Sequence, residues 1–169
     1  VNVWSNILKR VSRSKLVLKT SQKNHTLKRL KELFKKNNVL ESIEFTGRQE
    51  DLKNHLITYN GIDIALDTFP YNGVTTSFEA IWMGVPVITM AGYNFNSRCG
   101  ESINKNLNME QMVAKDEDDY VDKVVNLSNN HDDYIKLRKS IFLDALKSPL
   151  FNVQNYSKSF FEALERIVN

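Results

Sequence analysis

Apolar residues recur along the chain in two alternating rhythms. Trp4, Ile7, Leu8 and Val11 stand three and four apart, which predicts an amphipathic helix over residues 2–12. The short run Leu16-Val17-Leu18, flanked by Lys15 and Lys19, predicts a buried strand. Leu27, Leu30, Leu33 and Phe34 mark one face of a helix over 22–36 that ends near Asn37-Asn38. Ile43-Glu44-Phe45 predicts a second strand, closed by Gly47, and Leu52, Leu56 and Ile57 a helix over 49–58. A third strand is expected over 62–66. A loop through Pro70 and Gly73 then leads to a helix over 75–83, with Phe78, Ile81 and Trp82 inward and Gly84 as its stop. Residues 85–90 predict the next strand, where Pro86 is tolerable only near the first position. Met112-Val113-Ala114 predicts a last short strand, and helical spacing fills 117–128, 132–147 and 153–168.

Strands alternating with helices imply parallel pairing. The expected fold class is therefore α/β, a doubly wound parallel sheet, forming one domain over residues 1–169. No internal repeat, low-complexity tract or long linker interrupts it.

Composition narrows the picture. Hydrophobic residues at 41% and charged residues at 25% describe an ordinary globular chain. No apolar run approaches the ~18–20 residues that span a bilayer, so no membrane partner is expected. The start, Val1-Asn2-Val3-Trp4, is polar and then basic, unlike a signal peptide, and it lacks Met; the expectation is a piece of a longer chain. The single Cys99 excludes an internal disulfide and a cysteine zinc site, which fits a reducing, cytoplasmic setting.

Charge is unevenly placed. Residues 1–40 carry eleven Lys/Arg against one acid, Glu32, although the whole chain is only +3. Such an end reads first as a solvated face, and otherwise as a surface for an anionic ligand or nucleic acid. Only Phe34 interleaves the basic residues of 8–36, so there is no stacking platform and nucleic acid is not expected as a partner.

In open parallel sheets, ligands bind beyond the carboxyl ends of the strands. The strand 62–66 runs into Asp67-Thr68-Phe69-Pro70-Tyr71-Asn72-Gly73-Val74-Thr75-Thr76-Ser77, and the next helix begins there. Gly73 allows a sharp turn and close approach of a ligand to backbone. Thr75, Thr76 and Ser77 offer hydroxyls and free amides at a helix N-terminus, where an anion is favoured. The same residues support another reading: Thr76-x-x-Glu79 has capping-box spacing. Walker A and G-x-G-x-x-G sequences are both absent, against the usual triphosphate and dinucleotide sites. His25, His55 and His131 form no metal-ligand spacing, and no Ser–His–Asp arrangement is present. His55 stands out, because its helix leads into the strand that carries the proposed site. Asp67 is expected to organise the turn. The acidic run 116–119 is expected to be structural, opening a helix.

These residues resemble a known family. Asp63-Ile64-Ala65-Leu66-Asp67-Thr68 and Asn72-Gly73-Val74-Thr75-Thr76 are similar to the signature of the O-GlcNAc transferases. The likeness continues through Trp82-Met83-Gly84-Val85-Pro86-Val87-Ile88-Thr89-Met90-Ala91-Gly92 and Ser97-Arg98. It also takes in Trp4 with Ile7-Leu8-Lys9-Arg10-Val11, and Ser148-Pro149-Leu150-Phe151-Asn152. Nearly the whole chain is covered, in matching order.

The resemblance implies the C-terminal, donor-binding lobe of a GT-B glycosyltransferase, Rossmann-like, whose partner lobe and any tetratricopeptide repeats lie outside this sequence. It implies a UDP-sugar donor, usually UDP-N-acetylglucosamine, a protein acceptor at Ser/Thr, and inverting chemistry with no cofactor and no metal. Carried over by position, Thr75 and Thr76 match residues that hold the diphosphate, with Asn72, Gly73, Val74 and Ser77 around them. Glu79 matches an acid that binds the ribose hydroxyls, His55 a histidine that contacts uridine, and Lys53 lies near a uracil-contacting lysine. Catalytic-base candidates and the phosphate-contacting lysine are expected outside this chain, so the chain alone is expected to be inactive. Two departures stand out: Val74 where the family often has His, and Glu79 where Asp is usual. The alternative is a non-catalytic nucleotide-binding or protein-interaction module built on the same lobe.

Overall fold

The computed structural model describes residues 1–20, 24–49 and 51–168. In chain order the elements are α1 (Asn2–Arg10), β1 (Leu16–Lys19), α2 (Asn24–Lys36), β2 (Ile43–Thr46), α3 (Leu52–Ile57), β3 (Ala65–Leu66), α4 (Thr75–Trp82) and β4 (Val87–Met90). They continue with α5 (Cys99–Asn106), β5 (Val113–Ala114), α6 (Glu117–Asn129), α7 (His131–Lys147) and α8 (Val153–Val168). The expected start of the second helix at 22–23, and residue 50 of the expected helix 49–58, lie outside the described residues.

Among the described residues all strand pairing is parallel, as strands joined through helices require. The strands form two ladders, β1–β2 and β3–β4–β5. Val87, Ile88 and Thr89 in the central strand β4 are each no more than 1% exposed. Successive strand residues point to opposite faces, so both faces of β4 are covered by helices, the doubly wound arrangement. The core around it joins Val3 and Ile7 of α1, Ile81 of α4, Ile103 of α5, Tyr120, Val121 and Val124 of α6, and Ile141 of α7. α1 lies against α6, and Arg10 reaches Asp122 at 2.6 Å.

Three expectations change. The strand predicted over 62–66 pairs only at Ala65–Leu66. Ile62 ends a 3-10 turn, and its carbonyl accepts from the Arg138 guanidinium at 2.6 Å, while Asp63 accepts from the Tyr134 hydroxyl. These bonds tie 62–63 to α7 instead of a strand. Trp82, expected inward, is 42% exposed and packs its ring against Phe142 and Phe151. Finally, α5 was not foreseen. Its buried positions are Gly100, Glu101, Ile103 and Asn104, so the inward face is mostly polar and carries no apolar rhythm.

Glu101 accepts from Arg98 at 2.7 Å and from Lys105 at 2.7 Å. The Arg98 hydrogen bond, with that of Lys105, pulls its carboxyl down from 4.5 to about 2. A depressed folded-state value stabilises above the unfolded one and is lost as pH falls through the folded one. The stability advantage of the unaltered chain over Glu101→Gln is thus expected in full above pH 4.5, vanishing towards pH 2. Thermal unfolding of both forms across that range checks it; a gap that persists at the acid end would refute it.

Candidate functional site

The site begins where β3 ends. Asp67 is 6% exposed, and its two carboxylate oxygens are both engaged. Oδ1 accepts from the Gly73 amide at 2.7 Å, and Oδ2 from the Thr89 hydroxyl on β4 at 2.7 Å. The Tyr120 hydroxyl donates to the Asp67 carbonyl at 2.9 Å. Burial pushes the Asp67 carboxyl up, against the bonds from Thr89, Gly73 and Thr68 that favour its ionised form. One buried side chain thereby pins the loop 67–73 to the sheet, as the turn-organising role of Asp67 requires.

Asn72 completes the loop. Its amide nitrogen donates to the Thr68 carbonyl at 2.8 Å, and its oxygen accepts from the Gly100 amide at 3.3 Å. A Cβ at Gly73 would sit 2.5 Å from the Thr76 Oγ1, and one at Gly100 would collide with the Thr89 and Asp67 side chains. Close backbone approach therefore explains both glycines.

The loop delivers α4 with its N-terminus outward. Val74, Thr75 and Thr76 are exposed there, and Asn72 and Ser77 are buried. Ser77, expected to present its hydroxyl with the two threonines, turns it inward to the Gly73 carbonyl at 3.1 Å. Asn72 and Ser77 build the loop's frame. The leading amides of α4 have no intrahelical acceptor, and with the helix dipole they favour an anion.

The capping-box reading fails. No side chain caps α4, and Glu79 points elsewhere. Its Oε2 lies 2.8 Å from His55 Nε2 and 3.2 Å from the Tyr59 hydroxyl. The His55 and Glu79 side chains are both about one-fifth exposed, at 18% and 19%. Burial, and then the Glu79 charge, push the Tyr59 hydroxyl up, so it stays a donor. Its one hydrogen is shared between Glu79 and the Thr76 carbonyl at 3.3 Å. The His55 ring meets Tyr59 edge-on at 5.6 Å, and its other nitrogen, Nδ1, lies 2.8 Å from Lys19 Nζ.

α3 holds His55 in place because Asp51 caps it, accepting from the Lys53 and Asn54 amides. Lys53 itself is exposed on the first turn of α3. Sequence reasoning singled out His55 and Glu79 but not Lys19 or Tyr59. Lys19 ends a parallel strand, which is the position where ligand-facing residues collect. Tyr59 follows His55 by four residues, one helical turn.

Chemically, the arrangement combines a carboxylate with an anion-favouring helix end one turn away, about 5.4 Å along the axis. That is the scale of a ribose ring and its 5′ phosphate. Among the described residues, no group of three or more His, Cys, Asp and Glu could hold a metal ion.

Comparison with known proteins identifies the family. The sequence model described as "Glycosyl transferase family 41" matches residues 1–160. The tomato (Solanum lycopersicum) protein named "Probable UDP-N-acetylglucosamine--peptide N-acetylglucosaminyltransferase SPINDLY" is 32% identical over 94% of this chain and 17% of its own length. Its namesake from Arabidopsis thaliana is 34% identical over 93% of this chain and 18% of its own. A solved structure of a mutant Thermobaculum terrenum O-GlcNAc transferase superposes with a TM-score of 0.91 at 29% identity. That match covers 98% of this chain and 32% of the other. The chain thus spans under a fifth of these plant relatives and about a third of the bacterial one. With its parallel α/β lobe and the loop 67–74 leading into α4, the chain belongs to glycosyl transferase family 41 and forms a lobe of the O-GlcNAc transferase type.

Proposed function

We propose that this lobe binds the nucleotide-sugar donor, a UDP-sugar such as UDP-N-acetylglucosamine, for metal-independent, inverting transfer to Ser/Thr of a protein acceptor. The observation that carries the reading is the pairing of the open N-terminus of α4 with Glu79 and His55 one turn further on. The diphosphate lies at residues 74–77, the ribose hydroxyls at Glu79, and the base beside His55. In the transfer, the acceptor hydroxyl forms the new bond to the anomeric carbon as the bond to the diphosphate breaks. Its proton passes to a base on the partner lobe, and the nucleoside diphosphate departs.

Negative charge grows on the diphosphate as it leaves. Fixed amides and threonine hydroxyls at the head of α4 therefore bind the transition state better than the ground state. Asp67 matters indirectly, because it holds those donors still. The chain alone holds one side of the reaction and is expected to transfer nothing.

Replacing Thr75 and Thr76 together with Val tests the reading. In the intact protein, transfer of labelled sugar from UDP-N-acetylglucosamine is expected to fall about a hundredfold in kcat, the scale of losing oriented donors from a developing anion. Unchanged turnover would refute the assignment.

A further inference from the structure

We infer that Lys19 is a positioning residue of this site, whose ammonium group fixes His55 in the neutral tautomer that carries its hydrogen on Nε2. The inference rests on the nucleotide-binding reading of His55 and Glu79. A lysine ammonium donates hydrogen bonds and accepts none. Its Nζ lies 2.8 Å from His55 Nδ1, so Nδ1 must accept. An ionised carboxylate only accepts. Glu79 Oε2 lies 2.8 Å from Nε2, so Nε2 must donate. The two contacts, one from strand β1 and one from helix α4, select the same tautomer. The opposite tautomer would set N–H against ammonium and lone pair against carboxylate, and an imidazolium would set N–H against Lys19.

The consequence reaches the ligand through Glu79. His55 and Tyr59 both donate to Oε2, and among the described residues Oε1 has no partner. The carboxylate is thus held by one oxygen with the other open to a ribose hydroxyl. Without Lys19, His55 can turn or change tautomer, and the aim of Glu79 loosens. Lys19 is exposed at the end of β1, so its replacement leaves the core untouched.

The test labels histidine with nitrogen-15 in the intact protein, without nucleotide, at mildly alkaline pH. The His55 resonances are those lost in His55→Gln. The unaltered protein is expected to show Nδ1 bare and Nε2 protonated; Lys19→Met a mixture with protonated Nδ1; and Lys19→Arg the original state. UDP affinity is expected to fall about tenfold in Lys19→Met, an interaction the size of one charged hydrogen bond, and to recover in Lys19→Arg. A protonated Nδ1 in the unaltered protein, or an unmoved tautomer in Lys19→Met, would overturn the inference. So would an altered tautomer with undiminished UDP affinity. Failure of the unaltered protein to bind UDP at all is a separate result, which overturns the nucleotide reading itself.

Discussion

Glu79→Ala is expected to weaken UDP binding ten- to a hundredfold. The carboxylate would offer charged acceptors to ribose hydroxyls, and such bonds contribute about 1.5–3 kcal/mol each. At about 1.4 kcal/mol per factor of ten, loss of one such bond brings the affinity down by that range. The alanine also strips His55 Nε2 and the Tyr59 hydroxyl of a shared acceptor, so the nucleoside side of the site loses its organisation as well. Calorimetric titration of the intact protein with UDP, with GDP and ADP as controls, reads the effect. Glu79→Asp draws the carboxylate back by one methylene from His55 and should fall between the two. Equal affinity of the alanine variant for UDP would remove Glu79 from the site. Equal affinity of the unaltered protein for all three nucleotides would leave the ribose contact standing but withdraw uridine selectivity from His55.

Asp67→Ala is expected to cost about 3 kcal/mol of stability. The change leaves the Gly73 amide and the buried Thr89 hydroxyl without their acceptors, at about 1–3 kcal/mol for each unsatisfied group. Gly100→Ala should act on the same network from the other side, since its Cβ enters the space of Asp67 Oδ2 and the Thr89 side chain. Urea unfolding with a common slope separates these losses from changes in the unfolded chain. In both variants the head of α4 should lose its fixed position, so turnover should fall further than stability alone accounts for. A loss below about 0.5 kcal/mol for Asp67→Ala, the usual effect of an exposed position, would show that the loop is held by something else.

Much of the fold was legible because short-range apolar spacing reports which face of an element is buried. α1, α6, α7, α8 and β4 were all foreseen in this way, and α8 shows the limit of the method. Its apolar residues Val153, Tyr156, Phe160, Phe161 and Ile167 are spaced as a buried face would be, yet all are exposed here. Periodicity marks a face able to be covered and says nothing of what covers it. α5 escaped for the opposite reason, because Glu101 and Asn104 are buried by their polar bonds. The head of α4 was legible from its threonines and the preceding glycine, since the anion-favouring property of a helix end is local.

By itself, then, the sequence determined the alternation of strands and helices, the parallel class, the family and the segment 67–76 that carries its signature. All of these depend on residues close together in the chain. Only the tertiary structure decided that Glu79 turns from its own helix end to His55, that Lys19 reaches the same imidazole from thirty-six residues away, and that Ser77 faces inward. A polar side chain near the surface has several partners of similar energy within reach. Which one it takes depends on where the chain crosses itself, and no local pattern records that crossing.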